Sequence, residues 1–314
     1  MKKKAIIVSI KGLKLTNKEK KLLSKEYPWG LILFKRNIKT LFQIKLLIKD
    51  IRKYAKDKNF PILIDEEGST VSRLGNIINH DISANYFGKL FSVNQKLGIQ
   101  IYKKYLNSLC NNLKNIGINV NTIPVLDVLR SNTNKVIGNR SFSKKKEIVK
   151  KLGKITIDVC RRNKVINVIK HIPGHGPAVS DSHYKMPKVN LSYNELITTD
   201  CYPFKSNKAK LAMTAHILYK KIDLKNVATF SKKIIKDIIR RRIGFKGIIM
   251  SDDISMKALK YDLITNAKKS LEAGCNLVLY CSGNIHDNLK LIKMVPYIDE
   301  FTSKKTSEIY KILR

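Results

Sequence analysis

Eight short apolar runs, separated by longer amphipathic stretches, constrain this chain more than any other feature. They are Ala5–Ser9, Gly30–Phe34, Pro61–Ile64, Val120–Val125, Val165–Ile169, Leu211–Thr214, Gly247–Met250 and Asn276–Tyr280. Each is rich in Val, Ile and Leu with little polar alternation, the pattern of strands buried on both faces. The stretches between them predict helices over Asn17–Tyr27, Thr40–Tyr54, Leu97–Asn115, Ser143–Arg162, Tyr193–Asn207, Ser231–Ile243 and Asn266–Ala273. Ile285–Val295 and Ser303–Leu313 read as helical too. Ser143 and Ser231 stand where N-caps belong, and Gly274 stands where a helix stops. Strand–helix alternation of this kind implies an α/β fold with a covered parallel sheet.

The polar residues choose between a closed and an open sheet. Asp65, Asp127, Lys170 with His171, His216 and Asp252 each stand just past an apolar run. In a closed (β/α)8 TIM-type barrel all these ends converge on one mouth, whereas an open sheet gathers them at one switch point. With about eight strand–helix units in 314 residues, the barrel is the expected fold, and residues 1–314 read as one domain without a linker. No Gly-x-Gly-x-x-Gly or phosphate-loop pattern occurs, so no nucleotide cofactor is expected.

Charge enters because it is extreme: 62 Lys and Arg against 24 Asp and Glu give +38. Such a surface suits nucleic acid or an acidic membrane. The lysines are scattered, however, and no nucleic-acid-binding signature accompanies them, so compositional bias is the simpler reading and no specific nucleic-acid partner is expected. Five cysteines without close metal-type spacing suit a reducing compartment. The apolar run after Met1 is cut by Lys11 and Lys14, too short for a signal peptide, and no stretch reaches transmembrane length. The expectation is a cytoplasmic, monomeric protein with no membrane partner.

The stretch Lys170-His171-Ile172-Pro173-Gly174-His175-Gly176, continuing to Asp181-Ser182-His183, carries most of the titratable chemistry. In an extended segment Asp181 and His183 project the same way, so the carboxylate can bond one imidazole nitrogen and leave the other free. That pairing favours the imidazolium and suits a general acid that later acts as a base. Ser251-Asp252-Asp253 ends another apolar run, and strand alternation lets at most one acid face the mouth. Asp252 is assigned the chemistry, as nucleophile or electrostatic stabiliser, and Asp253 the cap of a helix starting at Ile254. Asp65, Arg73, Arg140, Lys170 and His171 offer donors and acceptors for vicinal hydroxyls and an amide. A metal held by His171, His175, Asp181 and His183 is disfavoured, because that spacing matches no familiar zinc pattern.

These residues resemble the bacterial β-N-acetylhexosaminidases of glycoside hydrolase family three. Lys170–Gly176 with Asp181-Ser182-His183 is similar to that family's Lys-His-Phe-Pro-Gly-His-Gly … Asp-Ser/Thr-His signature. Asp65–Gly68 with Val71-Ser72-Arg73, Ile123–Asp127, Val136–Phe142 and Ser251–Met256 match further motifs in order. The resemblance implies Asp252 as nucleophile and His183 as mobile acid/base assisted by Asp181. It implies that Asp65, Arg73, Arg140, Lys170 and His171 bind an N-acetylglucosamine ring. The implied substrate is a muropeptide from peptidoglycan recycling, cleaved with retention and without a metal or cofactor. The loop Gly174–His183 is expected to fold over the sugar. Ser69, Pro177-Ala178 and Ser143 depart from the family pattern outside the catalytic positions. Rival readings are a β-glucosidase or β-xylosidase of the same broad family, or an idle basic barrel binding nucleic acid or cell wall.

Overall fold

The computed structural model describes residues 2–79, 81–182 and 184–314. Eight parallel strands, β1 Lys4–Ser9, β2 Pro28–Leu33, β3 Ile62–Ile64, β4 Val120–Asn121, β5 Ile166–Ile172, β6 Leu211–Thr214, β7 Ile248–Asp253 and β8 Leu277–Leu279, pair in sequence order. β8 pairs back onto β1, with Ile6 beside Val278 and Ile7 beside Leu279, so the sheet is the expected closed barrel.

Alternation along the strands sorts their side chains into two cores. Ala5, Ile7, Leu63, Val120, Ile166, Val168, Leu211, Met213, Ile248 and Met250 fill the barrel. Ile6, Val8, Leu31, Ile62, Ile64, Ile169, Ala212 and Ile249 face outward under the helices. The helix Lys146–Arg162 shows the complementary logic: Ile148, Val149, Leu152, Ile157 and Val159 are buried while its lysines point away. The C-terminal helix Glu300–Leu313 packs against the interior core through Ile309, and Trp29 Nε1 donates to Thr306 Oγ1 at 2.8 Å. That helix covers the N-terminal end of the barrel, opposite the loops that follow the strands.

The differences from the sequence reading are local. β4 stops at Asn121, because Pro124 has no N–H for a ladder; only an isolated bridge joins Val125 to Lys170. β5 and β7 run further than expected, so Lys170, His171 and Asp252 lie within strands. A helix over Ala84–Val93 went unpredicted. The stretch predicted as one helix from Tyr193 breaks into Tyr193–Glu195, a π-helical turn Leu196–Asp200 and a 3-10 turn Tyr202–Phe204 containing Pro203. Ser231 does cap, accepting from Ile234 N at 3.2 Å. Ser143 instead accepts from Lys145 N, ahead of the helix that starts at Lys146.

Candidate active site

A cleft of about 610 Å³ opens at the C-terminal ends of the strands. Ile32, Met213 and Leu279 form its apolar floor, and Asp65, Glu67, Arg73, Arg140, Lys170, His171, His175, Ser182, Asp252 and Cys281 contribute the polar wall. The structure thus gathers six of the eight residues singled out in the sequence: Asp65, Arg73, Arg140, Lys170, His171 and Asp252. Asp181 is half-buried and outside the wall, although its neighbour Ser182 is part of it. His183 lies outside the described residues.

One side of the wall is a charge network. Lys170 Nζ, almost fully buried, donates to Glu67 Oε1 at 2.6 Å, to Thr122 Oγ1 at 2.8 Å and to Asp65 Oδ1 at 3.2 Å. Arg73 Nη2 donates to the other Asp65 oxygen at 3.1 Å. Arg140 forks onto Glu67, Nε at 2.8 Å and Nη2 at 3.0 Å, while Nη1 donates to the Val136 carbonyl. Burial resists ionisation of Asp65, yet Lys170 and Arg73 outweigh it and hold the carboxyl far below its usual range. Burial also resists ionisation of Glu67, and Arg140 and Lys170 bring its pKa down to about 2.

Glu67 escaped the sequence reading. It reaches the cleft because the chain turns after it: Glu67 N donates to Val71 O, and Gly68 adopts φ +124° with no room for a side chain, a Cβ falling 2.2 Å from Ile82 O. Its neighbour Glu66 points the other way, accepting from the N–H groups of Arg73 and Leu74. In an irregular loop nothing in Asp65-Glu66-Glu67 tells which acid faces the site.

A second cluster braces β5. Asp127, fully buried, accepts from His171 N and His175 N through Oδ1, and its Oδ2 lies 2.7 Å from His171 Nδ1. Burial works against its ionisation, but the two imidazoles prevail and its pKa is lowered. Lys170 and His171, although consecutive, both line the cleft where the β5–β6 register shifts between Ile169 and Ile172. His175 is buried against His171 with ring centroids 5.5 Å apart; burial, then the His171 charge, push its pKa down to about 4. Its Nε2 lies 3.4 Å from Ser182 Oγ, and Nδ1 has no hydrogen-bond partner among the described residues.

At the end of β7, Asp252 faces the cleft and Asp253 does not, as alternation requires. Asp252 Oδ1 accepts from Asp253 N at 2.8 Å. Burial opposes its ionisation, and His216, His171, that N–H and Lys170 outweigh it, so the carboxyl sits below its usual range. Asp253 accepts from Ser255 N and Oγ and from Cys281 N; turns rather than a helix follow it directly, so it fastens a turn to the segment after β8 rather than capping a helix. Behind Asp252, buried His216 lies 3.0 Å from the Asp253 carbonyl through Nε2 and 2.7 Å from Thr229 Oγ1 through Nδ1. Burial pushes its pKa down against the pull of Asp252, and since a carbonyl only accepts, Nε2 carries a proton there.

The loop after β5 is firmly rooted. Tyr219 OH donates to Gly174 O, Thr133 Oγ1 donates to Gly176 O at 2.6 Å, and Asn134 N donates to Ala178 O. Residues 174–178 are buried, so any closure is confined to residues beyond Ala178, where Val179 and Tyr184 are exposed. Among the described residues no group of three or more His, Cys, Asp or Glu is placed to hold a metal ion.

Comparison with known proteins converges on one group. The family described as Glycosyl hydrolase family 3 N terminal domain matches residues 2–307. A Beta-hexosaminidase of Psychromonas ingrahamii is 31% identical over 97% of this chain and 92% of its own length. One from Haemophilus influenzae is 31% identical over 93% of this chain and 85% of its own length. Among solved structures, NagZ from Neisseria gonorrhoeae in complex with N-trifluoroacetyl-D-glucosamine superposes with a TM-score of 0.88 at 28% identity, covering 98% of this chain and 90% of that one.

Proposed function

The chain belongs to glycosyl hydrolase family 3, and from that premise we propose that it is a retaining exo-β-N-acetylglucosaminidase acting on muropeptide-type glycosides. The observation that carries this is one cleft in which an ionised Asp252 faces a wall of fixed donors and acceptors, Asp65, Arg73, Arg140, Lys170 and His171. A neutral sugar offers hydroxyls and an amide to such a wall; the names of the relatives supply its N-acetylhexosamine character.

In the proposed reaction an Asp252 oxygen attacks the anomeric carbon while the glycosidic C–O bond breaks. His183, assisted by Asp181, gives its proton to the departing oxygen. Water then displaces Asp252 from the glycosyl-enzyme, losing a proton to His183, and configuration is retained. A His–Asp dyad here takes the place of the second carboxylate that most retaining enzymes use. His216, buried behind β7, fixes the Asp253 carbonyl and so the backbone that aims Asp252.

We take it to act as a monomer, and five unpaired thiols suit a reducing cytoplasm. No helix among the described residues is long and apolar enough to cross a membrane. The test is hydrolysis of nitrophenyl N-acetyl-β-glucosaminide beside nitrophenyl β-glucoside. The proposal expects a preference of at least about a hundredfold for the acetamido sugar, as buried polar groups left unpaired by the wrong substrate would give. Equal rates, or a preference for the glucoside, would refute it.

A further inference from the structure

In a chain carrying +38, the cleft is electrically balanced. Its permanently charged described wall residues are Arg73, Arg140 and Lys170 against Asp65, Glu67 and Asp252, three of each sign. Asp65 binds the sugar and Asp252 attacks it in the reading above, so both are committed. Glu67 is the third acid, and its carboxylate is wholly occupied by protein. Oε1 receives Lys170 at 2.6 Å and Arg140 Nη2 at 3.0 Å, and Oε2 receives Arg140 Nε at 2.8 Å. The side chains of Glu67, Lys170 and Arg140 are all at least nine-tenths buried, so these are charge-assisted bonds away from bulk water.

We propose that Glu67 is a positioning and specificity residue: it fixes Lys170 and Arg140 as donors to the sugar and cancels the charge that would otherwise select an anionic glycoside. The proposal rests on the N-acetylglucosaminidase reading and deepens it. Without Glu67, the described residues leave Lys170 with Asp65 and Thr122 and leave Arg140 with the Val136 carbonyl. The cleft would then hold one uncompensated positive charge close to the bound ring, where low polarisability keeps screening weak.

The test uses the full chain and two competitive ligands, N-acetylglucosamine and N-acetylglucosamine 6-phosphate, with affinities measured by calorimetry at fixed ionic strength so that turnover is not needed. Glu67→Gln keeps the shape and removes the charge. The preference for the neutral sugar over its phosphate should shift toward the phosphate by about tenfold or more, the scale of one poorly screened charge. Glu67→Asp keeps the charge but cannot reach both cations. It should leave that preference within about twofold of the parent while raising KM for nitrophenyl N-acetyl-β-glucosaminide more than it lowers kcat. If Glu67→Gln does not fold, the Glu67→Asp result decides: an unchanged KM overturns the positioning role. If Glu67→Gln folds and its preference does not move, the specificity role is overturned. Failure of the parent protein to bind or cleave any N-acetylglucosaminide sinks the underlying functional reading instead, and is recognised before either variant is made.

Discussion

His175 sits in the wall of the cleft, and its protonation state decides which imidazole can serve as the acid. Burial and the neighbouring His171 bring its pKa down to about 4, against about 6.5 in the unfolded chain. A histidine whose folded pKa is depressed binds more protons unfolded than folded between those values. Its neutral form therefore supports the fold fully above pH 6.5, and that support drains away as pH falls toward 4. At about 1.36 kcal/mol per unit, the chain loses about 2 kcal/mol from this group between pH 7 and pH 5. Glu, Asp and the other His residues also titrate, so the measurement is a difference. Urea melts of the parent and of His175→Gln across this range should show a gap that shrinks by about 2 kcal/mol toward pH 5, groups common to both cancelling. Parallel curves would mean that His175 titrates in the fold as it does unfolded, near about pH 6.5, and so carries a proton part of the time around neutral pH. It would then compete with His183 for the acid role, and the argument from burial would be wrong.

Further outcomes follow from the same geometry. His183→Ala should lose most hydrolysis of substrates with poor leaving groups, by about 10² to 10⁴, yet keep far more activity toward aryl glycosides that need no acid; equal losses on both would remove His183 from the mechanism. Gly176→Ala should be destabilised by at least about 3 kcal/mol, since its Cβ would fall 1.9 Å from the backbone oxygen of Val128; a thermal melt near the parent's would show that the loop root yields. Trp29→Phe should cost about 1 kcal/mol in a urea melt through the lost indole bond to Thr306, whose hydroxyl keeps its bond to the Thr302 carbonyl, and should spare kcat, because the lost bond lies at the N-terminal end of the barrel.

Much of the fold was legible because barrel strands are apolar on both faces, and all eight runs became barrel strands. What escaped depended on partners distant in sequence. The helix Ala84–Val93 contains Gly88, which reads as a breaker; the glycine is there because Phe142 O comes within 1.8 Å of where a Cβ would lie. π-helical stretches such as Ile234–Arg242 share their apolar periodicity with an ordinary helix over so short a length. In the site, Asp252 and Lys170 announced themselves by ending apolar runs. Asp127 stood out the same way, but its tie to His171 spans 44 residues and has no local signal. Glu67 was hidden in a loop where periodicity carries no information about facing.

The central claim is that Asp252 bonds covalently to the sugar carbon. Incubation with 5-fluoro-N-acetylglucosaminyl fluoride should slow release of the glycosyl-enzyme, and mass spectrometry of the digested protein should find the fluorosugar on the peptide containing Asp252, absent in Asp252→Asn. An adduct on another residue, or steady turnover of the reagent with no adduct at all, would contradict the account.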